Sequence, residues 1–360
     1  MGRSRELAEL GSAYDSGSSL GFRNRIINGD MRIDQRNAGA SVTPANADFI
    51  VDRFQYIASQ ASKVTAQQNA GSVTPPAGFT KYLGITSSSA YSIGATDFFN
   101  VSHKIEGFNT ADLAWGTANA ATVTLSFWVR SSLTGTFGGT IFNNAQNRYY
   151  PFSYTISAAN TWEQKTITIA GDTSGTWATD NSVGIRIMFG LGVGSTYSGT
   201  AGSWGGTLYY SATGATSVVG TNGATWYITG VQLEAGSVAT PFERRDYGRE
   251  LMMCRRYYYR LTAATAFANA GTGRAYSTTN GQAVIAMPVS MRAAPTGAVS
   301  NVSHWNGAGG SITSMNPVSQ YSGDFRQMTV DITSPFTSGQ TVILNANNTT
   351  SAWIDWSAEL

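Results

Sequence analysis

Side chains able to do chemistry are few in this sequence and unevenly placed. Cysteine occurs once, at Cys254, and histidine twice, at His103 and His304. An internal disulfide, a Cys-rich zinc site and a His-based metal cluster therefore all lack their ligands. No HExxH and no Gly-rich phosphate loop is present, so neither a metal nor a cofactor is expected. The 21 acids leave paired-carboxylate hydrolysis formally open. Asp97, Glu106, Asp112, Glu163, Asp172 and Asp180 are nevertheless dispersed among turn and strand signals, where the ordinary role is turn formation or solvation. Ser-His-Asp chemistry would need His103 or His304 to find partners that spacing does not reveal. Catalysis is therefore not expected. What the chain does offer is aromatic faces beside hydrogen-bonding side chains in loops, the chemistry of sugar recognition. His304, Trp305 and Asn306 precede a Gly-rich turn, and Tyr321, Asp324 and Arg326 occupy the next long loop. Trp305 and Tyr321 would be the stacking platforms, with Asn306, Asp324 and Arg326 as the polar set. A second constellation is the Gly-rich loop carrying Tyr197, Trp204, Tyr209 and Tyr210. Burial at a subunit contact is the competing reading of both.

Composition indicates what must hold these loops. Charged residues make up 12% of the 360 positions, against a typical ~25%, so Ser, Thr, Asn and Gly must cover the surface. That excludes a charged helical bundle, a coiled-coil rod and an acidic disordered tail. The 40 glycines follow no Gly-X-Y period, which leaves an all-β chain with many tight turns. A net charge of +2 is too small to draw nucleic acid. No run approaches 18 apolar residues, so no membrane insertion is expected, and the opening Met1–Glu6 is too polar for a signal peptide. Synthesis in a cytoplasm follows as the expectation. Of the 23 basic residues, 19 are Arg, seven of them within residues 1–53 and six within 244–260. Clustered Arg suits assembly surfaces, with solvated helix faces and strand ends as the alternative.

Along the chain, Ser4 is a candidate N-cap for a short N-terminal helix that sets Leu7, Leu10 and Tyr14 on one face, ahead of a flexible stretch at 15–21. Strand signals then follow one another: residues 49–57, 123–130, 149–156, 162–169, 183–191 and 225–233 are β-branched and aromatic runs punctuated by Gly, Asn, Asp and Ser. Val123, Leu125, Phe127 and Val129 alternate with Thr124, Ser126, Trp128 and Arg130, the period of a half-buried strand. This predicts an antiparallel jelly-roll sandwich over 23–241. Residues 242–261 read as a helical connector, with Tyr247, Leu251, Cys254, Tyr258 and Leu261 spaced as an a/d stripe. That stripe would seat three copies around an axis or pack on its own domain. A second, smaller β-sandwich is expected over 262–360, with one strand running from Gly297 to Trp305.

Several of these blocks carry a family likeness. Asn24–Arg36, Asp52–Phe54, Val123–Arg130, Asn160–Ile169 and, above all, Ile228–Arg245 with Cys254–Tyr258 resemble the body of bacteriophage tail-fibre proteins. The resemblance covers about residues 1–300 and is most specific from Val231 to Tyr258. It implies a virion fibre or receptor-binding protein, a homotrimer, with a jelly roll similar to carbohydrate-binding modules. It also implies a tail-docking segment over 1–22, where Arg3, Arg5, Leu7, Leu10 and Tyr14 would meet a tail or baseplate protein. Tyr247, Leu251, Cys254 and Tyr258 would then be trimer contacts. In calcium-containing modules of that kind the first and last strands bring oxygen ligands together, which singles out Asp30 and Glu234, although two carboxylates fall well short of about six oxygens. The expected function is a non-enzymatic tail fibre binding a host-surface polysaccharide through its distal β domain. The alternatives are a structural virion adaptor or decoration protein without a receptor site, and a glycan depolymerase.

Overall fold

The computed structural model describes residues 22–305, 310–311, 315–318, 327–333 and 335–360. The chain divides into two compact units, one ending at Arg245 and also including Leu360, the other spanning Asp246–Glu359.

The first unit is an antiparallel jelly-roll sandwich. One sheet has six strands in the order β1 (Phe49–Val51), β2 (Phe54–Ala58), β5 (Phe98–Glu106), β10 (Val183–Val193), β7 (Gly135–Asn143) and β8 (Tyr149–Ile156). The other has five: β3 (Val64–Gln68), β4 (Leu83–Ser87), β13 (Thr225–Ala235), β6 (Val123–Ser131) and β9 (Glu163–Ile169). Strict two-residue alternation supplies the core. Phe99, Val101 and Ile105 of β5, Ile185, Ile187 and Phe189 of β10, and Leu125, Phe127 and Val129 of β6 all bury in one cluster with Trp226 of β13. Trp226 is fully buried and spends its one donor on the Tyr154 hydroxyl, Nε1 to O 3.0 Å. A short parallel pair, β11 (Ser198–Gly199) and β12 (Ser211–Ala212), lies in the segment after β10.

Two expectations needed correction here. The run 49–57 is not one strand but a hairpin, because Val51 pairs with Phe54 and the chain turns at Asp52-Arg53, with Arg53 at φ 70°. Both turn residues are buried. The Asp52 carboxylate accepts from the Gln35 backbone N–H at 2.9 Å and from Gln35 Nε2 at 2.5 Å, while Arg53 Nη2 donates to the Lys104 carbonyl at 2.7 Å. Strands β3, β4, β5 and β7 were not anticipated, since Asn, Ser, Lys, Gln, Gly and Thr interrupt their apolar pattern.

The second unit opens with helix α1 (Tyr247–Arg255), nine residues capped by the Asp246 side chain, which accepts from Arg249 N at 2.9 Å. The helix is shorter than the 242–261 reading. At Tyr258 the chain enters β14 (Tyr258–Thr262), which joins β23 (Trp353–Ser357) and β17 (Thr296–Ser300) in a three-stranded sheet. Tertiary pairing overrides helical spacing there: Tyr259 stacks on Trp356 at 5.8 Å, and the Tyr258 hydroxyl donates to Asp355 at 2.6 Å. A seven-stranded sheet completes the unit in the order β19 (Gly310–Ser311), β18 (Val302–Trp305), β22 (Thr341–Ala346), β15 (Asn269–Ala275), β16 (Asn280–Ala286), β21 (Gln327–Thr333) and β20 (Met315–Val318). The single strand expected over 297–305 is thus two strands in different sheets, switched at Asn301, whose φ of 54° is left-handed. Ile285, Ile332, Val342, Leu344, Ile354 and Trp356 form the core. No helix among the described residues is long and apolar enough to cross a membrane.

Candidate binding face

Alternation that buries Phe99, Val101 and Ile105 of β5 turns Phe98, Asn100, Ser102 and Lys104 to the outer face of the six-stranded sheet. Registers across the sheet assemble the neighbours. Gln55 of β2 lies opposite Ser102, Arg186 of β10 opposite Lys104, and Phe142 of β7 opposite Arg186. The segment carrying β11 and β12 folds back over part of this face, held by Asn100 Nδ2 donating to the Tyr210 carbonyl at 3.1 Å and by Tyr210 N donating to Tyr197 O at 2.7 Å.

Three half-exposed rings meet at this edge. Phe98 and Tyr210 lie 5.1 Å apart, Phe98 and Tyr197 5.7 Å, and Tyr197 and Tyr210 5.2 Å between centroids. Tyr210 continues to Phe142 at 6.4 Å, and the Arg186 guanidinium carbon lies 5.6 Å from the Phe142 centroid. Phe142, Gln55 and Ser102 are themselves buried, so what the face presents is the Phe98, Tyr197 and Tyr210 cluster, with half-buried Arg186 reached through Phe142. Burial raises the Tyr149 and Tyr210 phenols above their usual range, so both hydroxyls stay protonated donors at neutral pH. Burial also draws Arg186 below its ordinary value. Beneath the covering segment Asn100 Oδ1, Thr140 Oγ1, Tyr149 OH and Ser211 Oγ are buried with no protein partner.

Of the second sequence constellation, the structure therefore brings Tyr197 and Tyr210 onto one face, and adds Phe98, Phe142 and Arg186, which the sequence reading missed. The only available signal for these was the alternation within β5 and β10. Trp204 belongs elsewhere: it packs edge-on against Trp115 at 5.3 Å and Trp177 at 5.5 Å, and its Nε1 donates to Ala170 O at 2.7 Å. Tyr209 lays its ring against Gly199, where a Cβ would collide with it.

For the remaining candidates, Trp305 ends β18 opposite Ile343, whereas Asn306, Tyr321, Asp324 and Arg326 lie outside the described residues. His304 is buried, edge-on to Phe336 at 5.0 Å. Arg3, Arg5, Leu7, Leu10 and Tyr14, with the expected N-terminal helix, also fall outside the described residues. The stripe over 247–261 is not one helical face, since Tyr258 and Leu261 stand on β14. Tyr247 is exposed, Leu251 half-buried, and Cys254 and Tyr258 are buried within their own unit.

Asp30 and Glu234 do not fit a hard cation. Glu234 accepts from Gln232 Nε2 at 2.8 Å, Thr240 N at 2.9 Å and Thr240 Oγ1 at 2.6 Å, and Asp30 pairs with Arg32 Nε at 2.5 Å. Among the described residues no three His, Cys, Asp or Glu side chains gather to hold a metal. These groups belong instead to a polar clasp that ties residues 24–32 to the end of the jelly roll. Arg25 N donates to Leu233 O and Val231 N to Gly29 O, both at 2.9 Å. Asn24 N donates to Glu243 Oε2 at 2.5 Å, Arg245 donates to the carbonyls of Asn24 and Ile26, and Arg32 Nη2 donates to the Arg245 carbonyl at 2.9 Å.

No protein-family model matches the chain, and no curated protein does. Solved structures similar to its fold include the enzymatically active domain of tailspike protein 4 from bacteriophage CBA120, at 12% identity over 59% of this chain and 21% of that one, with a TM-score of 0.33. The chain thus aligns with about a fifth of that tailspike's length. TmCBM61 in complex with β-1,4-galactotriose aligns at 10% identity over 59% of this chain and 99% of that one, with a TM-score of 0.30. A family 11 carbohydrate-binding module from Clostridium thermocellum aligns at 11% identity over 56% and 98%, with a TM-score of 0.29.

Proposed function

We propose that this chain is a non-enzymatic phage tail-fibre protein that binds a host-surface polysaccharide. In this reading it docks on a tail or baseplate protein through residues 1–22, assembles as a homotrimer and resides in the virion. The observation carrying the binding assignment is the half-exposed Phe98, Tyr197 and Tyr210 cluster, from which buried Phe142 leads to the half-buried guanidinium of Arg186. Flat apolar rings beside fixed polar groups are what a pyranose, apolar on its faces and hydroxylated at its rim, requires.

Binding without hydrolysis is supported by what the acids do. Asp112 is held by Arg25, and Asp172 by Arg148. Against the upward pull of desolvation, hydrogen bonds from Gly94 N–H, Tyr91 and Ser59 keep Asp97 below its ordinary range. Lys165 and two backbone N–H groups do the same for Glu163. A general acid needs a carboxyl that keeps its proton near neutral pH, and Asp97 and Glu163 are held the other way.

The test is adsorption of the purified full chain to susceptible cells and to resistant mutants lacking the surface polysaccharide. Tyr197→Ala should weaken adsorption by roughly tenfold per site, the equivalent of about 1.4 kcal/mol, without moving the melting temperature. Equal adsorption to both strains would overturn the function. Loss on Trp305→Ala with Tyr197→Ala intact would move the site to the second unit.

A further inference from the structure

We infer that the saccharide held on this face is acidic, carrying a carboxylate or sulfate group that Arg186 receives; this rests on the glycan-binding reading above. Most described arginines with a fixed partner meet an acid. Arg25 pairs with Asp112 at 2.5 Å, Arg32 with Asp30 at 2.5 Å, Arg148 with Asp172 at 2.7 Å, Arg245 with Glu243 at 3.3 Å and Arg260 with Asp355 at 2.8 Å. Arg186 departs from that pattern. Its Nε donates to Ser102 Oγ at 3.2 Å and its Nη2 reaches Gln55 Oε1 at 3.5 Å, while its plane meets the Phe142 ring, all of them neutral groups. Among the described residues no carboxylate lies within 4.0 Å of it.

Its surroundings sharpen the point. The residue directly across the ladder is Lys104, another cation, and like charges opposite each other destabilise a sheet. The other titratable groups on this face do not neutralise Arg186. Tyr149 and Tyr210 are held protonated, Glu106 has partners of its own, and the chain-terminal carboxylate of Leu360, in the wall of the cavity beside Arg186, takes the Lys104 ammonium and not Arg186. Withdrawing a guanidinium from water without a counter-charge is costly, and an incoming anion would relieve that cost. The fork still has N–H groups to offer, in the planar geometry that matches a carboxylate or sulfate edge. A cavity of about 220 Å³ opens beside it, with Lys104, Phe142, Asn143, Gln146 and the chain-terminal Leu360 also in its wall.

The experiment uses the full chain and surface polysaccharide purified from an adsorbing strain, in three forms: native, carboxyl-reduced and desulfated. Wild type should bind the native polymer at least tenfold more tightly than the form stripped of its anionic group, and the arm that fails identifies carboxylate or sulfate. Arg186→Gln should lose that tenfold preference and bind native and stripped polymer alike, with a melting temperature no lower than wild type. Arg186→Lys, which keeps the charge without the fork, should fall between them. Wild-type binding of all three forms with equal affinity, still sensitive to Tyr197→Ala, would overturn this inference and leave the glycan reading standing. Binding of none of the three would overturn both.

Discussion

Arg245 is the keystone of the clasp that closes the jelly roll, and its removal has a calculable cost. The guanidinium is only 7% exposed and donates to two main-chain carbonyls, Asn24 O and Ile26 O, with Glu243 Oε2 at 3.3 Å. Arg245→Met keeps most of the apolar stem and deletes the fork. Each carbonyl left buried without a donor costs about 1–3 kcal/mol, so the first unit should lose about 2–6 kcal/mol. Glu243 adds little, because its carboxylate is partly exposed and keeps the Asn24 N–H. The damage should be local before it is global. The amides of Arg25 and Val231, which donate across the junction to Leu233 O and Gly29 O, should exchange with deuterium orders of magnitude faster, while those in the second unit should not change. Half-buried Arg130→Met, which gives up one bond to the solvent-exposed Asn160 carbonyl, is the control, expected to cost under about 1.5 kcal/mol. Unchanged protection at Arg25 and Val231, with an unmoved urea midpoint for the first unit, would refute the reasoning.

Three further outcomes are expected. Gly29→Ala should destabilise the first unit as strongly as Arg245→Met, because a Cβ there would land on the Val231 carbonyl oxygen; a denaturation midpoint equal to wild type would contradict it. Trp204→Ala should lower the melting temperature and leave polysaccharide binding intact, since its ring and Nε1 are committed to Trp115, Trp177 and Ala170. His103 is held neutral by burial and by the charge of Arg53, its pKa well below the ordinary value, with Nε2 sharing a hydrogen bond with Ile27 O at 3.1 Å. The unfolded chain binds the extra proton below about pH 6.5, so stability should fall as pH drops through that value, by up to about 1.4 kcal/mol per pH unit. His103→Gln should remove that part of the slope in urea titrations between pH 7 and 5, and identical slopes would rule the account out.

The all-β class, the jelly roll and most of its strands were legible because local rules suffice for them. Period-two alternation at 123–130 and the aromatic, β-branched runs at 149–156 and 225–233 state both the strand and its buried face. The absence of Cys pairs and His clusters likewise follows from counting. Where reading stopped, a partner distant in sequence had taken over. Helical spacing from Tyr247 to Leu261 is real, yet Tyr258–Thr262 pairs with a strand almost a hundred residues later, and that ladder outweighs the local period. The run 49–57 reads locally as one strand, and only Gln35 and the Lys104 carbonyl, as buried partners of Asp52 and Arg53, account for the turn there. The binding face is the clearest case. Gln55, Phe98, Phe142, Arg186, Tyr197 and Tyr210 come from five segments spread over about 155 positions; the sequence marks Tyr197 and Tyr210 in their Gly-rich loop, but nothing within the other four segments joins them to it. Only cross-strand register sets Arg186 opposite Lys104 and beside Phe142, and only closure of the sandwich leaves that cation half-buried with no acid to meet it.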